Sequence, residues 1–212
     1  MIKSAISDMQ SVKKRMISDI WCVTNRTLCR ENFLDRVEKL AAAHPAGIIL
    51  REKDMNEEEY SVLAETVLKI CKKYNTVCVI HSFTETAKKL NCKAFHVPLP
   101  VLRKMSDMDK KRFVILGASC HSLEDALEAE RLGCTYITAG HIFNTDCKKG
   151  MPGRGLKFLQ NICESVSIPV YAIGGIDEKN IEEIRTAKAA GACIMSSAMV
   201  CENPKEYLKC FH

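Results

Sequence analysis

The stretch CTYITAGHIFNTDCKKGMPGRGLKFLQNICESVSIPVYAIGG, residues 134–175, contains one complete strand–helix–strand unit. Its ends, CTYITAGHI (134–142) and PVYAIGG (169–175), are short and apolar with β-branched residues, which is typical of buried strands. Between them, LKFLQNICESV (156–166) has its apolar residues at helical spacing. The stretch therefore predicts a β–α–β unit with parallel strands.

The same alternation runs through the rest of the chain. Further strand candidates are DIWCVTN (19–25), GIILRE (47–52), TVCVIHS (76–82), KAFHVP (93–98), RFVILGAS (112–119) and ACIMSSA (192–198). Between the strands lie the helix candidates NFLDRVEKLAAAH, NEEEYSVLAETVLKICKKY, FTETAKKLN, LEDALEAERLG and EKNIEEIRTAKAAG. The fourth unit is the weakest, because PLPVLRKMSDMDKK (98–111) offers only a ragged helix. The strands are apolar throughout, as parallel strands covered on both faces should be.

Eight strand–helix units predict an α/β protein with a single-domain (β/α)8 TIM barrel, a closed parallel sheet of eight strands. A doubly wound open sheet would show the same alternation. Residues 19–212 leave about 24 residues for each unit, which favours a barrel of minimal size. Residues 1–18 are expected to form a short N-terminal extension.

Composition excludes several other classes. The chain has 212 residues, of which 47% are hydrophobic and 27% charged, and its mean hydropathy is −0.09. No apolar run approaches the roughly 18 residues of a membrane span, and no secretory signal is evident at the N-terminus. Residues 1–30 carry four of the five net positive charges, and aromatic residues make up only 6%. We therefore expect a cytoplasmic protein that binds neither membrane nor nucleic acid.

The twelve cysteines form no C-x-x-C pair. Many of them lie inside strand candidates, such as Cys22 and Cys193, where cysteine acts as a small buried hydrophobe. Free thiols in this number fit a reducing compartment and predict neither a zinc site nor a disulfide framework. Cys147 is interpreted as a loop residue.

Function in such a barrel is located where the strands end and the following loops begin. Strand seven ends in Gly174 and Gly175, which lack Cβ atoms and let backbone N–H groups approach an anion. Strand eight ends in Ser196 and Ser197, whose N–H and hydroxyl groups would start a short helical turn. The four residues predict a phosphate site, although a tight turn would also need the two glycines.

His141, at the end of strand six, is the best acid–base candidate, because an imidazole exchanges protons near neutral pH without a metal. A histidine buried between helices and strands is the structural alternative. His96 is interpreted as a packing or turn residue because Pro98 and Pro100 follow it. His121 is expected at the entry to helix five, with Ser122 as the cap.

Several cationic residues lie at or near the same ends of the strands. The longest connection, loop six, runs from His141 to about Gly155. Arg51, Lys53, Lys148, Lys149 and Arg154 would make the barrel mouth electropositive and suited to a small phosphorylated or carboxylated metabolite. The alternative for each residue alone is a solvated surface charge.

The string GHIFNTDCKKGMPGRGL (140–156) resembles the thiamine phosphate synthase/TenI superfamily, as do LREKD (50–54), GASCHSLEDA (117–126), IPVYAIGGI (168–176) and AAGACIMSS (189–197). The superfamily has two main activities. Thiamine phosphate synthases couple a pyrimidine diphosphate to a thiazole phosphate with Mg²⁺ and release pyrophosphate. TenI-type tautomerases aromatise a thiazole carboxylate phosphate by proton transfer without a metal.

The resemblance favours the TenI branch. Synthases carry an Asn-Asp pair at the end of strand three and an acidic residue after strand four, whereas this chain reads Ile80-His81-Ser82 and His96-Val97-Pro98 there. Both carboxylates that would hold Mg²⁺ are missing. Loop six also begins with His141, where synthases usually have a proline.

The resemblance implies a role for each candidate residue. His141 would transfer the proton, and Gly174, Gly175, Ser196 and Ser197 would hold the phosphate. Arg51 and Lys53 would meet the carboxylate, and Ser119, Thr145 and Lys148 would contribute further substrate contacts. No cofactor is expected, with Mg²⁺ required only if the chain is a synthase. A third alternative is a non-catalytic protein that binds thiazole or thiamine phosphate, and the sequence leaves a homo-oligomer open.

Overall fold

A computed structural model of the chain describes residues 19–148 and 150–211. Eight parallel strands close into a barrel in sequence order, and the first strand pairs with the last. They are β1 (Ile20–Val23), β2 (Gly47–Leu50), β3 (Cys78–His81), β4 (Ala94–Pro98), β5 (Ile115–Cys120), β6 (Tyr136–Gly140), β7 (Val170–Ile173) and β8 (Gly191–Ile194). The closed sheet confirms the (β/α)8 barrel and rules out the open sheet. The extension expected over residues 1–18 lies outside the described residues, so that boundary stays a prediction.

Helices connect the strands. They are α1 (Phe33–Ala42), α2 (Glu57–Lys73), α3 (Thr84–Lys89), α4 (Leu99–Lys104), α5 (Asp107–Lys110), α6 (Leu123–Arg131), α7 (Gly155–Ser165), α8 (Ile181–Thr186), α9 (Ser196–Val200) and α10 (Pro204–Lys209). Short 3-10 turns lie at Arg26–Leu28 and Asp146–Lys148. The ragged fourth unit is a pair of short helices, α4 and α5. None of the helices in the described ranges is long and apolar enough to cross a membrane.

Capping side chains explain where several helices begin. Asn56 accepts a hydrogen bond from the Glu59 N–H at the start of α2, and the Glu59 carboxylate accepts one from the Asn56 N–H in return. Ser122 caps α6 by accepting from the Asp125 N–H, as the sequence predicted.

The strand predicted over 192–198 is too long. Strand β8 ends at Ile194, and residues from Ser196 onward belong to α9. Ala198 and Met199 are buried on that helix, so the apolar run continues past the strand end. Periodicity alone cannot separate a short buried strand from a short buried helix.

The core has two parts. Outward-facing strand residues such as Ile20, Ile48 and Leu50 pack in one large cluster with the helices. A second cluster includes Trp21, whose ring stacks on Tyr136 at a centroid distance of 5.8 Å, and Tyr171. Cysteines 22, 71, 92, 120, 134 and 193 are buried and free, which confirms their interpretation as small hydrophobes.

Candidate functional site

Arg51 connects three strand ends at the barrel mouth. The residue directly follows β2, and its N–H donates to Thr24 Oγ1 beside the end of β1 at 2.9 Å. Its Nη1 lies 3.9 Å from the sulfur of Met195, which directly follows β8. Burial lowers the pKa of the guanidinium, but arginine stays charged in proteins. The mouth therefore holds a partly desolvated positive charge.

Loop six places further polar and charged side chains near the Arg51 guanidinium. Cys147 Sγ lies 3.5 Å from Ser196 Oγ at the start of α9, and the thiol also interacts electrostatically with Arg51. Partial burial lowers the pKa of Lys53, and the nearby charges of Arg51 and Lys148 lower it further. The structure thus brings together three of the predicted cations, and Cys147 lies on the loop as expected.

The other two predicted cations contribute differently. The Arg154 side chain donates from Nε to the Gly140 carbonyl at 3.2 Å, which ties the end of loop six to the end of β6. Lys149 lies outside the described residues. Thr145 Oγ1 accepts from the Cys147 N–H at 3.4 Å, so its hydroxyl helps shape the 3-10 turn.

Glu52 lies between the two cations of the β2 loop and was not a candidate in the sequence analysis. Only 2% of the residue is exposed. Its carboxylate accepts from Thr24 Oγ1 at 2.6 Å and from the Arg26 N–H at 2.9 Å. Burial raises its pKa, and these two hydrogen bonds oppose the rise. Through these two hydrogen bonds, the Glu52 carboxylate connects the loop after β1 to the loop after β2.

Two stacked histidines lie side by side on neighbouring strands, His81 at the end of β3 and His96 in the middle of β4. The rings of His81 and His96 are buried, with centroids 5.3 Å apart. His96 Nδ1 hydrogen-bonds the Tyr136 hydroxyl, and its Nε2 hydrogen-bonds Ser119 Oγ, both at 2.9 Å. Burial and the charge of Arg51 lower the pKa of His96 to about 3. Burial, His96 and Arg51 also lower the pKa of His81 well below its usual range, so both rings are neutral at pH 7.

His96 is more than the packing or turn residue that the sequence suggested, because it connects Tyr136 inside the barrel to Ser119 at the end of β5. Gly117 makes this possible. A Cβ there would lie 2.2 Å from the Tyr136 ring and 2.6 Å from His96 Nδ1. A glycine inside a strand signals such a close approach, and RFVILGAS contains this signal.

The loop after β7 packs closely against loop six. Gly174 has φ +101°, and a Cβ there would lie 2.3 Å from the Cβ of His141. Gly175 has φ +68°, and its Cβ would lie 2.5 Å from the Asn144 carbonyl oxygen. Only glycine satisfies both the positive φ and the close contact.

Ser196 and Ser197 are the first two residues of α9. The N–H groups of a first helical turn have no partner within their helix, so they are available to an anion. Burial raises the pKa of Tyr207 to about 12, and the Ser197 side chain opposes this rise. Ser196 is exposed beside Cys147.

His141 is partly buried between Gly174 and loop six. Its Nε2 lies 3.2 Å from the Met151 carbonyl oxygen, and its own carbonyl accepts from the Arg154 N–H at 2.9 Å. His121 is exposed at the entry to α6, as expected, and its Nδ1 lies 2.9 Å from the Gly140 carbonyl oxygen.

The residues at the mouth do not fit a carboxylate-bound Mg²⁺. Strand β3 ends in His81, β4 contains His96 and ends in Pro98, and the Glu52 carboxylate already accepts two hydrogen bonds. Within residues 19–148 and 150–211, no cluster of three His, Cys, Asp or Glu side chains could hold a metal ion. Mg²⁺ prefers oxygen ligands, and carboxylates above all.

Fold and mouth together define a small (β/α)8 barrel with a cationic site suited to an anionic metabolite. A family model described as thiamine monophosphate synthase (TMP-TENI) matches residues 20–198. The chain belongs to this family, which confirms the resemblance found in the sequence.

Relatives and solved structures agree with this membership. A thiamine-phosphate synthase of Clostridium tetani is 30% identical over 199 residues, covering 91% of this chain and 93% of the relative. A putative thiamine-phosphate synthase 2 of Aquifex aeolicus is 34% identical over 163 residues, covering 77% and 88%. A thiamine phosphate pyrophosphorylase from Pyrococcus furiosus superposes with a TM-score of 0.79 at 27% identity, covering 93% of this chain and 95% of that one.

These names favour the synthase alternative over the tautomerase prediction. They leave the role of each candidate residue untested.

Proposed function

We propose that the chain is an enzyme of thiamine biosynthesis that binds a thiazole phosphate in the barrel mouth and isomerises it by proton transfer at His141. Family membership supports the pathway and the phosphorylated substrate. The choice of isomerisation rests on one observation, which is the set of side chains at the ends of β3 and β4.

Strand β3 ends in the neutral imidazole of His81, and the helix that follows β4, Leu99–Lys104, has no carboxylate, whereas a synthase carries carboxylates for Mg²⁺ at the end of strand three and after strand four. His81 and His96 are buried beside Arg51, and their lowered pKa values keep them uncharged. A divalent cation placed there would meet the positive charges of Arg51 and Lys53, and the adjacent Glu52 carboxylate already accepts hydrogen bonds from Thr24 and Arg26. A substrate with a carboxylate and a phosphate would complement the same charges.

The proposed mechanism uses groups from four loops, those after β2, β6, β7 and β8. The N–H groups of Gly174, Gly175 and Ser196 bind the phosphate, while Arg51 and Lys53 bind the carboxylate. His141 removes the ring proton and returns it to the exocyclic carbon. Positioned general acid–base catalysis of this kind accelerates reactions by about 10²- to 10⁴-fold.

A thiamine phosphate synthase is the second candidate. The names of the relatives favour it, and Lys148 lies close enough to Lys53 to lower its pKa, which makes the site attractive to pyrophosphate. This reaction would need Mg²⁺ held by groups other than the carboxylates at the β3 and β4 ends.

One assay separates the candidates. Purified protein receives the non-aromatic thiazole carboxylate phosphate in EDTA or, separately, the thiazole phosphate and pyrimidine diphosphate with Mg²⁺. The proposal predicts aromatisation in EDTA and its loss in His141→Gln. His44→Asn is the matched control, because His44 is exposed at the end of α1 with φ +52°, a conformation that asparagine tolerates.

Pyrophosphate release without aromatisation would establish the synthase. Thermal stabilisation by thiazole phosphate with neither reaction would indicate a non-catalytic binding protein.

A further inference from the structure

We propose that loop six selects the reactive atom of His141: the main-chain carbonyl of Met151 holds the ring as the Nε2–H tautomer, and Nδ1 exchanges the proton. The identity of the substrate rests on the proposed function. The tautomer is a property of the chain itself and can be measured separately.

The hydrogen bond between His141 and Met151 determines which ring nitrogen carries the hydrogen. Nε2 of His141 lies 3.2 Å from the Met151 carbonyl oxygen. A carbonyl oxygen only accepts hydrogen bonds, so Nε2 must carry the hydrogen. A neutral imidazole has one N–H, which leaves the lone pair on Nδ1. In the described part of the chain, no hydrogen bond reaches Nδ1.

Loop six is built to hold this carbonyl in place. The Met151 N–H donates to the Lys148 carbonyl at 3.0 Å, and the Gly153 N–H donates to Asn144 Oδ1 at 2.8 Å. Pro152 follows Met151 and restricts its backbone to extended conformations, which limits where the carbonyl can point.

The opposite side of the histidine is equally constrained. Gly174 leaves room for the Cβ of His141, which would lie 2.3 Å from any Cβ at position 174. The base of the side chain is therefore fixed by β7 and its tip by loop six. The ring can change tautomer only by giving up the contact with Met151.

The proton transfer needs no co-reactant. The C–H bond at the ring carbon of the substrate breaks, and its proton forms a bond to Nδ1 of His141. The released electron pair enters the thiazole ring, and the exocyclic double bond takes the proton back from Nδ1 at its outer carbon. The imidazole ends in its starting tautomer, with Nε2–H bonded to Met151 throughout. Met151 is thus a positioning residue, and His141 is the catalytic one.

The test is long-range ¹H–¹⁵N correlation NMR on the ¹⁵N-labelled full-length protein, well above the usual histidine pKa of about 6.5. His141→Gln assigns the signals by their loss. His121 is an internal reference, because its Nδ1 faces the Gly140 carbonyl and must carry the hydrogen. We expect opposite tautomers, Nε2–H for His141 and Nδ1–H for His121. An Nδ1–H ring at His141, or a near-equal mixture, overturns the proposal.

Two variants of Asn144 test the role of the loop. Asn144→Ala removes the acceptor for the Gly153 N–H, so the Nε2–H population of His141 should fall and kcat should drop about 10-fold. Asn144→Asp keeps an acceptor oxygen and should preserve the tautomer. If Asn144→Ala leaves the tautomer unchanged, loop six does not select it and this part of the proposal is wrong.

The NMR and turnover results separate the two proposals. Aromatisation by a protein whose His141 is Nδ1–H supports the proposed function and refutes this inference. An Nε2–H ring without turnover supports the selected tautomer and refutes the proposed function.

Discussion

Gly174→Ala tests whether the end of β7 must be glycine to accommodate His141. The backbone at Gly174 has φ +101°, so alanine would be strained by about 1–3 kcal/mol. The new Cβ would also lie 2.3 Å from the Cβ of His141 and 2.9 Å from its Cα. Overpacking of this kind costs about a further 1–3 kcal/mol. We therefore expect a total loss of about 2–6 kcal/mol.

Gly133→Ala is the matched control. Gly133 has φ +91°, and no atom lies within 4 Å of the Cβ that alanine would add. This variant should lose only the strain, about 1–3 kcal/mol. The difference between the two losses in the free energy of unfolding measures the cost of the contact with His141.

Urea unfolding measures both losses. With an m-value of about 2 kcal/mol/M, an extra 2 kcal/mol lowers the midpoint by about 1 M. Gly174→Ala should also lower kcat, because the clash displaces His141, whereas Gly133→Ala should leave kcat unchanged. Equal losses of stability in the two variants, or wild-type kcat in Gly174→Ala, would show that position 174 does not need glycine to accommodate His141.

Two further predictions concern the buried histidines and the mouth. His96 has a pKa of about 3 when folded and about 6.5 when unfolded, so the unfolded chain binds a proton that the folded chain does not between these values. His96 should contribute a loss of about 1.4 kcal/mol for each pH unit from about 6.5 down to about 3, and His96→Gln should remove this part of the slope in urea titrations. A slope that is unchanged in the variant would contradict the assignment. Arg51→Gln should raise KM for the carboxylated phosphate by about 10- to 100-fold, the effect of losing a charged hydrogen bond. Arg103→Gln, which breaks an exposed ion pair with Glu128, should leave KM unchanged. Equal KM values for the two variants would show that Arg51 does not bind the substrate.

Much of the barrel could be predicted because its strands are short apolar runs with helical stretches between them. Strand ends were less certain. The predicted run 112–119 begins three residues before β5 (Ile115–Cys120), because Phe113 is buried although it precedes the strand. Apolar character reports burial, while strand bounds depend on hydrogen bonding to the neighbouring strands.

Part of the candidate site could be predicted from the positions at which the strands end. Strand-end position alone identified Gly174 and Ser196, and the structure places both beside loop six. Glu52 and His96 escaped prediction because their partners lie far away in the sequence. Thr24 precedes Glu52 by 28 residues, and Tyr136 follows His96 by 40. The pairing of β1 with β2, and of β4 and β6 with β5, brings these groups together.

The central claim is that an imidazole, and no carboxylate-bound metal, performs the chemistry in this barrel. The most direct measurement is the rate of aromatisation of the thiazole carboxylate phosphate in EDTA by the wild-type protein and by His141→Gln. We expect turnover that EDTA does not inhibit and that falls at least about 100-fold in the variant. Equal rates for the two proteins, or product formation only when Mg²⁺ is restored, would contradict it.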